Sequence, residues 1–118
     1  MDYKEYLASD EWKAKRTKVR RRARGWCERC KVRRRVDVHH LSYAHLGNEP
    51  LTDLVAVCRE CHKFLHGQRE TDPASLHYTK EEVAIARKLA WWADQGEEDR
   101  ICELHPEFQR VREKLQEA

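Results

Sequence analysis

The sequence predicts a small α+β fold, and three observations predict it. Two Cys-x-x-Cys pairs, Cys27/Cys30 and Cys58/Cys61, are separated by 27 residues in a chain of 118. Two short strand-like stretches, VDVH and LVAV, lie between the pairs on either side of a loop-like segment. Helical spacing of apolar residues marks both ends of the chain.

From the N-terminus, Ser9 reads as an N-cap, Asp10 and Glu11 as an acidic first turn and Gly25 as a stop, a helix over roughly residues 10–23. Trp12 and Val19 mark its apolar side and Lys13, Arg16, Arg20 and Arg24 its basic one. WCERC is a tight knuckle, and in VRRRVDVHHL the residues Val36 and Val38 alternate with Asp37 and His39 as in a half-buried strand. SYAHLGNEPL is a loop, TDLVAVC holds a short apolar strand, and RECHKFLHGQR reads as two to three helical turns ending near Gly67. After a linker, TDPASLHY, the segment TKEEVAIARKLAWWADQ is a helix with Thr79 and Glu82 in capping-box spacing. QGEEDR is a turn and HPEFQRVREKLQEA a last helix, so the tail reads as a helical hairpin. The expected division is a core over residues 1–68 and a helical extension over 69–118.

With 40% hydrophobic and 38% charged residues and only two Phe, the core is modest and gains from a metal staple. No apolar run approaches the ~20 residues that span a bilayer, and the N-terminus is too charged for a signal peptide. The expectation is a soluble protein of the cytoplasm with no membrane partner, where five Cys do not form disulfides. Charge is uneven: residues 1–40 carry 14 Lys/Arg against 6 Asp/Glu, and residues 67–118 carry 8 against 12. A basic front half suits a polyanion such as nucleic acid, although a solvated charged helix has the same composition.

One metal ion needs about four ligands, so the two cysteines and two histidines of CRECHKFLH either close one site or belong to two. Two CxxC knuckles, Cys27/Cys30 and Cys58/Cys61, complete a tetrahedral S4 shell, the closed environment of structural Zn²⁺. The spacing exceeds the ~15–20 residues of simple zinc ribbons, so something is inserted between the knuckles. A Cys3His site would leave a thiolate unused, and a redox pair lacks a βαβ pattern around it.

The histidines are then surplus to the closed site. His62 and His66, four apart on a helix, share a face, whereas His39 and His40, adjacent on a strand, point to opposite faces. HKFLH has the spacing of H-E-x-x-H without its Glu, which weakens a peptidase reading. Two helix histidines and one from the strand make an open three-nitrogen site of the catalytic kind. The remaining His suits general-base work, its ordinary pKa being near 6.5.

These residues resemble the HNH nucleases of the His-Me finger (ββα-metal) class, especially small zinc-stabilised members common in bacteriophages. The likeness rests on Cys27-Glu-Arg-Cys30 and on VDVHHLSYAHLGNEPLTDLVAVCRECHKFLH, Val36 to His66, and with SDEWKAKR it covers roughly residues 8–67. It implies a ββα-metal core stapled by zinc on Cys27, Cys30, Cys58 and Cys61. It implies His39, His62 and His66 as ligands of a catalytic divalent ion (Mg²⁺, Mn²⁺ or Zn²⁺), His66 matching the extra histidine of colicin-type members. His40 is implied as the base that activates water for DNA cleavage, leaving 5′-phosphate and 3′-hydroxyl ends, in a bacterial or phage-infected cell.

The sequence departs from the pattern at Asp53, which stands where the signature has Asn. It either braces the loop that aims the base or binds the metal; an uninvolved loop carboxylate is the bland reading, and Asn48 is the other bracing candidate. Lys31 follows the second Cys where Gly is common, so it must take the knuckle's backbone angles. Arg16, Arg20, Arg21, Arg22, Arg24, Arg33, Arg34 and Arg35 are the expected pool of phosphate contacts, half or fewer of them used, with Arg20, Arg24 and Arg33–Arg35 foremost. The acidic tail is assigned to packing, a homodimer or a protein partner, and of Trp91 and Trp92 one reads as core and the other as interface rather than as base-stacking groups. The rival function is a non-catalytic zinc-ribbon DNA-binding module or degenerate nuclease.

Overall fold

A computed structural model describes residues 2–117. Six helices and one two-stranded antiparallel sheet are present among them, an α+β arrangement. None of these helices is long and apolar enough to cross a membrane.

A short helix α1 (Tyr3–Leu7) precedes α2 (Asp10–Ala23). Ser9 caps α2 by accepting the Trp12 N–H at 3.2 Å, while Asp10 and Glu11 sit at its positive end and Arg20–Arg22 at its negative end. The helix ends at Ala23 as expected, with Arg24 in the left-handed C-cap conformation (φ 55°) and Gly25 following at φ 82°. Trp12 and Val19, two turns apart, bury completely against Tyr6, Leu54 and Ala56. Each such side chain contributes about 1.5–3 kcal/mol of transfer free energy, so a helix with so basic a surface is anchored by few residues.

Strands β1 (Asp37–His40) and β2 (Leu54–Val57) pair with Val38 opposite Ala56 and His40 opposite Leu54. The other edge of β2 is not bare. The Glu28 N–H donates to Ala56 O at 2.8 Å and the Glu28 carboxylate accepts the Ala56 N–H at 2.9 Å, so the first knuckle covers that edge. Arg22 locks the arrangement by a double contact to Glu28 at 2.8 and 2.7 Å and by donating to the carbonyls of Leu51 and Leu54. Helix α3 (Arg59–Leu65) follows β2 directly, and the Cys58 sulfur is its N-cap, accepting the Cys61 N–H at 3.4 Å.

The C-terminal region forms three helices rather than the expected hairpin: α4 (Lys80–Asp94), α5 (Glu98–Leu104) and α6 (Pro106–Glu117). The capping box at Thr79 and Glu82 is present, with bonds of 2.9 and 3.1 Å. The difference arises because Cys102 buries a small apolar group against α4 and α6, which holds residues 98–104 helical after the Gly96 turn (φ 74°). Ala86, Leu89, Cys102 and Val111 form one continuous apolar cluster with Val32, Val57 and the four cysteines. The helical extension and the cysteine centre thus share a core.

Candidate metal centre and histidine cleft

Cys27, Cys30, Cys58 and Cys61 are all buried, and their sulfurs all lie within 4.8 Å of one another. Cys30 and Cys58 bridge the two knuckles at 3.9 Å. A tetrahedral ion with metal–sulfur bonds of about 2.3 Å has sulfur–sulfur edges of about 3.8 Å, so the group could hold a structural metal such as zinc. In each knuckle a backbone N–H points at a sulfur, Cys30 N–H to Cys27 Sγ and Cys61 N–H to Cys58 Sγ, both 3.4 Å. Lys31 adopts the left-handed conformation that the first knuckle demands, φ 66°.

Electrostatics make the same point. The Cys27 thiol falls far below the ordinary range, chiefly because Cys30 and then Cys58 donate toward it. Those of Cys58 and Cys61 rise far above it, chiefly because Cys27 and Cys30 stand beside them. Four sulfurs this close cannot all ionise side by side, and a divalent cation among them removes the conflict. Arg33 helps from outside. Burial works against its charge, yet the Cys30 and Cys58 sulfurs hold its pKa above the usual arginine value.

A second group lies one turn further along α3. The ring nitrogens of His39, His62 and His66 are mutually within 4.8 Å, and His62 Nε2 meets His66 Nε2 at 2.9 Å. Neighbouring ligands of one ion with metal–nitrogen bonds of about 2.0–2.1 Å stand about this far apart, so the donor set fits a cation. His66 is the C-cap of α3 rather than part of it, but its N–H still bonds His62 O at 3.1 Å, which preserves the i, i+4 alignment. Burial, followed by the imidazoles of His62 and His66, lowers the pKa of His39 and favours the neutral form that ligates metals. Asp37 Oδ2 stands 3.9 Å from His62 Nδ1, the ring nitrogen not used toward His66.

These histidines line an open cleft of about 310 Å³ together with His40, Arg16 and Arg20. As the strand geometry requires, His40 faces away from His39. It does not protrude, however: its ring is 5% exposed, stacked between Trp12 (4.8 Å, 13°) and Tyr43 (4.9 Å, 18°). Its Nε2 meets Glu49 Oε2 at 2.6 Å.

The other expected site residues make contacts outside the three-histidine group. Asp53 does not line the cleft. Its carboxylate meets His45 Nδ1 at 3.1 Å and its carbonyl accepts the Leu41 N–H at 2.7 Å, so its contacts are with the β1–β2 loop and not with the three histidines. Asn48 bonds within that loop, donating its backbone N–H to His45 O at 2.8 Å. Arg33 and Arg34, expected on DNA, turn toward the C-terminal helices instead. Arg33 donates to Leu115 O and Arg34 to Ala90 O, each at 3.0 Å, and Arg34 also pairs with Asp94. The reason is that α4 and α6 pack on the cysteine core, which brings the Ala90 carbonyl of α4 and the Leu115 carbonyl in the last turn of α6 within reach of these guanidiniums. Arg22 is spent on Glu28, whereas Arg20, Arg24 and Arg35 are exposed.

Glu49 and Asp37 were not marked by sequence. Asp37 carried a signal only in standing two residues before His39, on the same face of the strand. Comparison with known protein families, with curated proteins and with solved structures finds no match to this chain.

Proposed function

We propose that the chain is a metal-dependent DNA endonuclease of the HNH type, with zinc on the four cysteines and a second divalent ion at His39, His62 and His66. The observation that carries this reading is the convergence of three imidazoles in a cleft that also holds His40 and two arginines of α2. The reading is supported by the order of elements, a hairpin of β1 and β2 leading into α3, and by the cysteine at the N-cap of α3.

A divalent ion at the three histidines, when bound, supplies positive charge to the scissile phosphate and the departing oxygen. The chain does the rest. Arg16 and Arg20, one turn apart on α2 and both lining the cleft, hold the DNA phosphates. His40 takes a proton from water, the water oxygen bonds to phosphorus, and the P–O3′ bond breaks with its electron pair going to O3′. O3′ then takes up a proton, so the products are a 3′-hydroxyl and a 5′-phosphate. One cleft cuts one strand at a time, so nicking is the expected primary event.

Supercoiled plasmid incubated with the protein and Mg²⁺ or Mn²⁺ is expected to give nicked product, and His40→Ala to lower the rate by about 100-fold or more. No cleavage with any divalent ion, alongside retained DNA binding, would identify a non-catalytic zinc DNA-binding module instead. The arginines sort by the same physics. Arg20→Ala is expected to weaken DNA binding and to reduce the salt dependence by about one counterion. Arg34→Ala, whose guanidinium serves Ala90 and Asp94, is expected to leave binding nearly unchanged. Fluorescence anisotropy over a salt series measures both, and an equal effect of the two would remove α2 from the DNA interface.

A further inference from the structure

The loop that joins β1 to the turn before β2 is exposed through most of its length, yet Glu49 within it is buried, with its side chain at 0% exposure. An isolated carboxylate in that position costs several kcal/mol unless it is fully satisfied. Three groups from three elements satisfy it. Tyr6 of α1 donates its hydroxyl to Oε1 at 2.5 Å, Lys15 of α2 donates to the same oxygen at 2.9 Å, and His40 at the end of β1 meets Oε2 at 2.6 Å. Burial opposes the charge, but these hydrogen bonds hold the Glu49 carboxyl down at about 2.

An ionised carboxylate only accepts hydrogen bonds. The ring nitrogen against it must therefore donate, so His40 carries a proton on Nε2, and in the neutral ring the lone pair is then on Nδ1. Trp12 and Tyr43 cover the two faces of the same ring. An imidazole anchored in its plane and clamped on both faces has no freedom to turn.

We propose that Glu49 is a positioning residue of the site, taking Nε2–H of His40 and thereby presenting Nδ1 as the atom that receives the proton from water. This rests on the nuclease reading above and assigns to that site a residue that touches neither substrate nor metal. Tyr6 and Lys15 have a part in it. They fill the other carboxylate oxygen, and Lys15 balances its charge, so Glu49 stays directed at His40. The N-terminal helices α1 and α2 are thus built into the catalytic apparatus and do more than carry basic charge.

Two conservative variants separate positioning from charge. Glu49→Gln keeps an acceptor oxygen at the same reach and loses the charge; Glu49→Asp keeps the charge and shortens the arm by one methylene. Positioning predicts that Glu49→Gln retains kcat within about 10-fold, while Glu49→Asp loses about 100-fold in kcat with KM for DNA little changed. The reverse order overturns the proposal, as does a Glu49→Asp protein as active as the wild type. A long-range ¹H–¹⁵N spectrum of the full zinc-bound chain reads the ring directly and needs no activity. The expected state of wild-type His40 is the Nε2–H tautomer, with a mixture of tautomers in Glu49→Asp; a wild-type Nδ1–H tautomer overturns the proposal. A wild-type protein that cuts no DNA in any divalent metal marks failure of the nuclease reading, which these outcomes keep apart from failure of the Glu49 assignment.

Discussion

Cys58→Ser is expected to leave a chain that no longer folds through its middle. Serine is among the best N-caps, so the cap that Cys58 supplies to α3 survives the substitution in kind. What is lost is one of four sulfurs within 4.8 Å of one another, at a position only 2% exposed. Structural zinc sites supply on the order of 10–16 kcal/mol of apparent binding free energy. A domain of this size has about 5–15 kcal/mol of total stability. Removal of the ion therefore exceeds what the remaining core can offset. The loss also travels, because Ala86, Leu89, Cys102 and Val111 of the C-terminal helices pack on the same cluster. Circular dichroism melts with metal analysis test this: the wild type is expected to retain one zinc per chain through gel filtration and to lose its cooperative transition in EDTA. A Cys58→Ser protein melting within a few degrees of wild type would show that the cysteines are packing residues only.

Local chemistry was the legible part of this fold. The cap at Ser9, the capping box at Thr79 and Glu82, the strand LVAV and the knuckle conformation of Lys31 each follow from a few adjacent residues. The cysteine knuckles and the His62/His66 pair were legible for a related reason: spacing within a knuckle or a helical turn determines which atoms face together, whereas the choice of His39 over His40 as the third member came from the family resemblance. What spacing does not encode is which distant surface a charge meets. Glu49 finds Tyr6 and Lys15 at separations of 43 and 34 residues, and Arg34 finds Asp94 at 60. Arg33 and Arg34 therefore looked like free basic charge, although the packing of α4 and α6 had a use for them. His40 was legible as pointing away from His39, but its burial depends on Trp12 and Tyr43 arriving from two other elements. The same limit explains α5, whose helicity depends on a single buried Cys102 meeting its neighbours.

His62→Ala is expected to do the opposite of Cys58→Ser: the fold stays and DNA cleavage is lost. The His62 side chain is 31% exposed and faces the cleft rather than either apolar cluster, so its removal takes little from the core. Alanine is also the better helix former, and surface changes of this kind stay within about 0.5 kcal/mol. The cost falls on the second metal proposed above. Even groups that merely orient a ligand cost about 10–100-fold in affinity or activity when removed, so loss of a ligand is expected to cost more than about 100-fold. His39→Ala should behave alike. His66→Ala should cost less, because His66 is exposed and lies at the C-cap of α3. The expected signature is thus a wild-type melting curve, one zinc still bound, weaker calorimetric binding of the second ion, and activity partly regained at high Mn²⁺. His62 stands one residue after Cys61 on one short helix, so a single shared site would make both substitutions unfold the protein together. If His62→Ala melts as Cys58→Ser does, the two metal centres are one. If it melts as wild type and cuts as wild type, the three histidines hold no working ion.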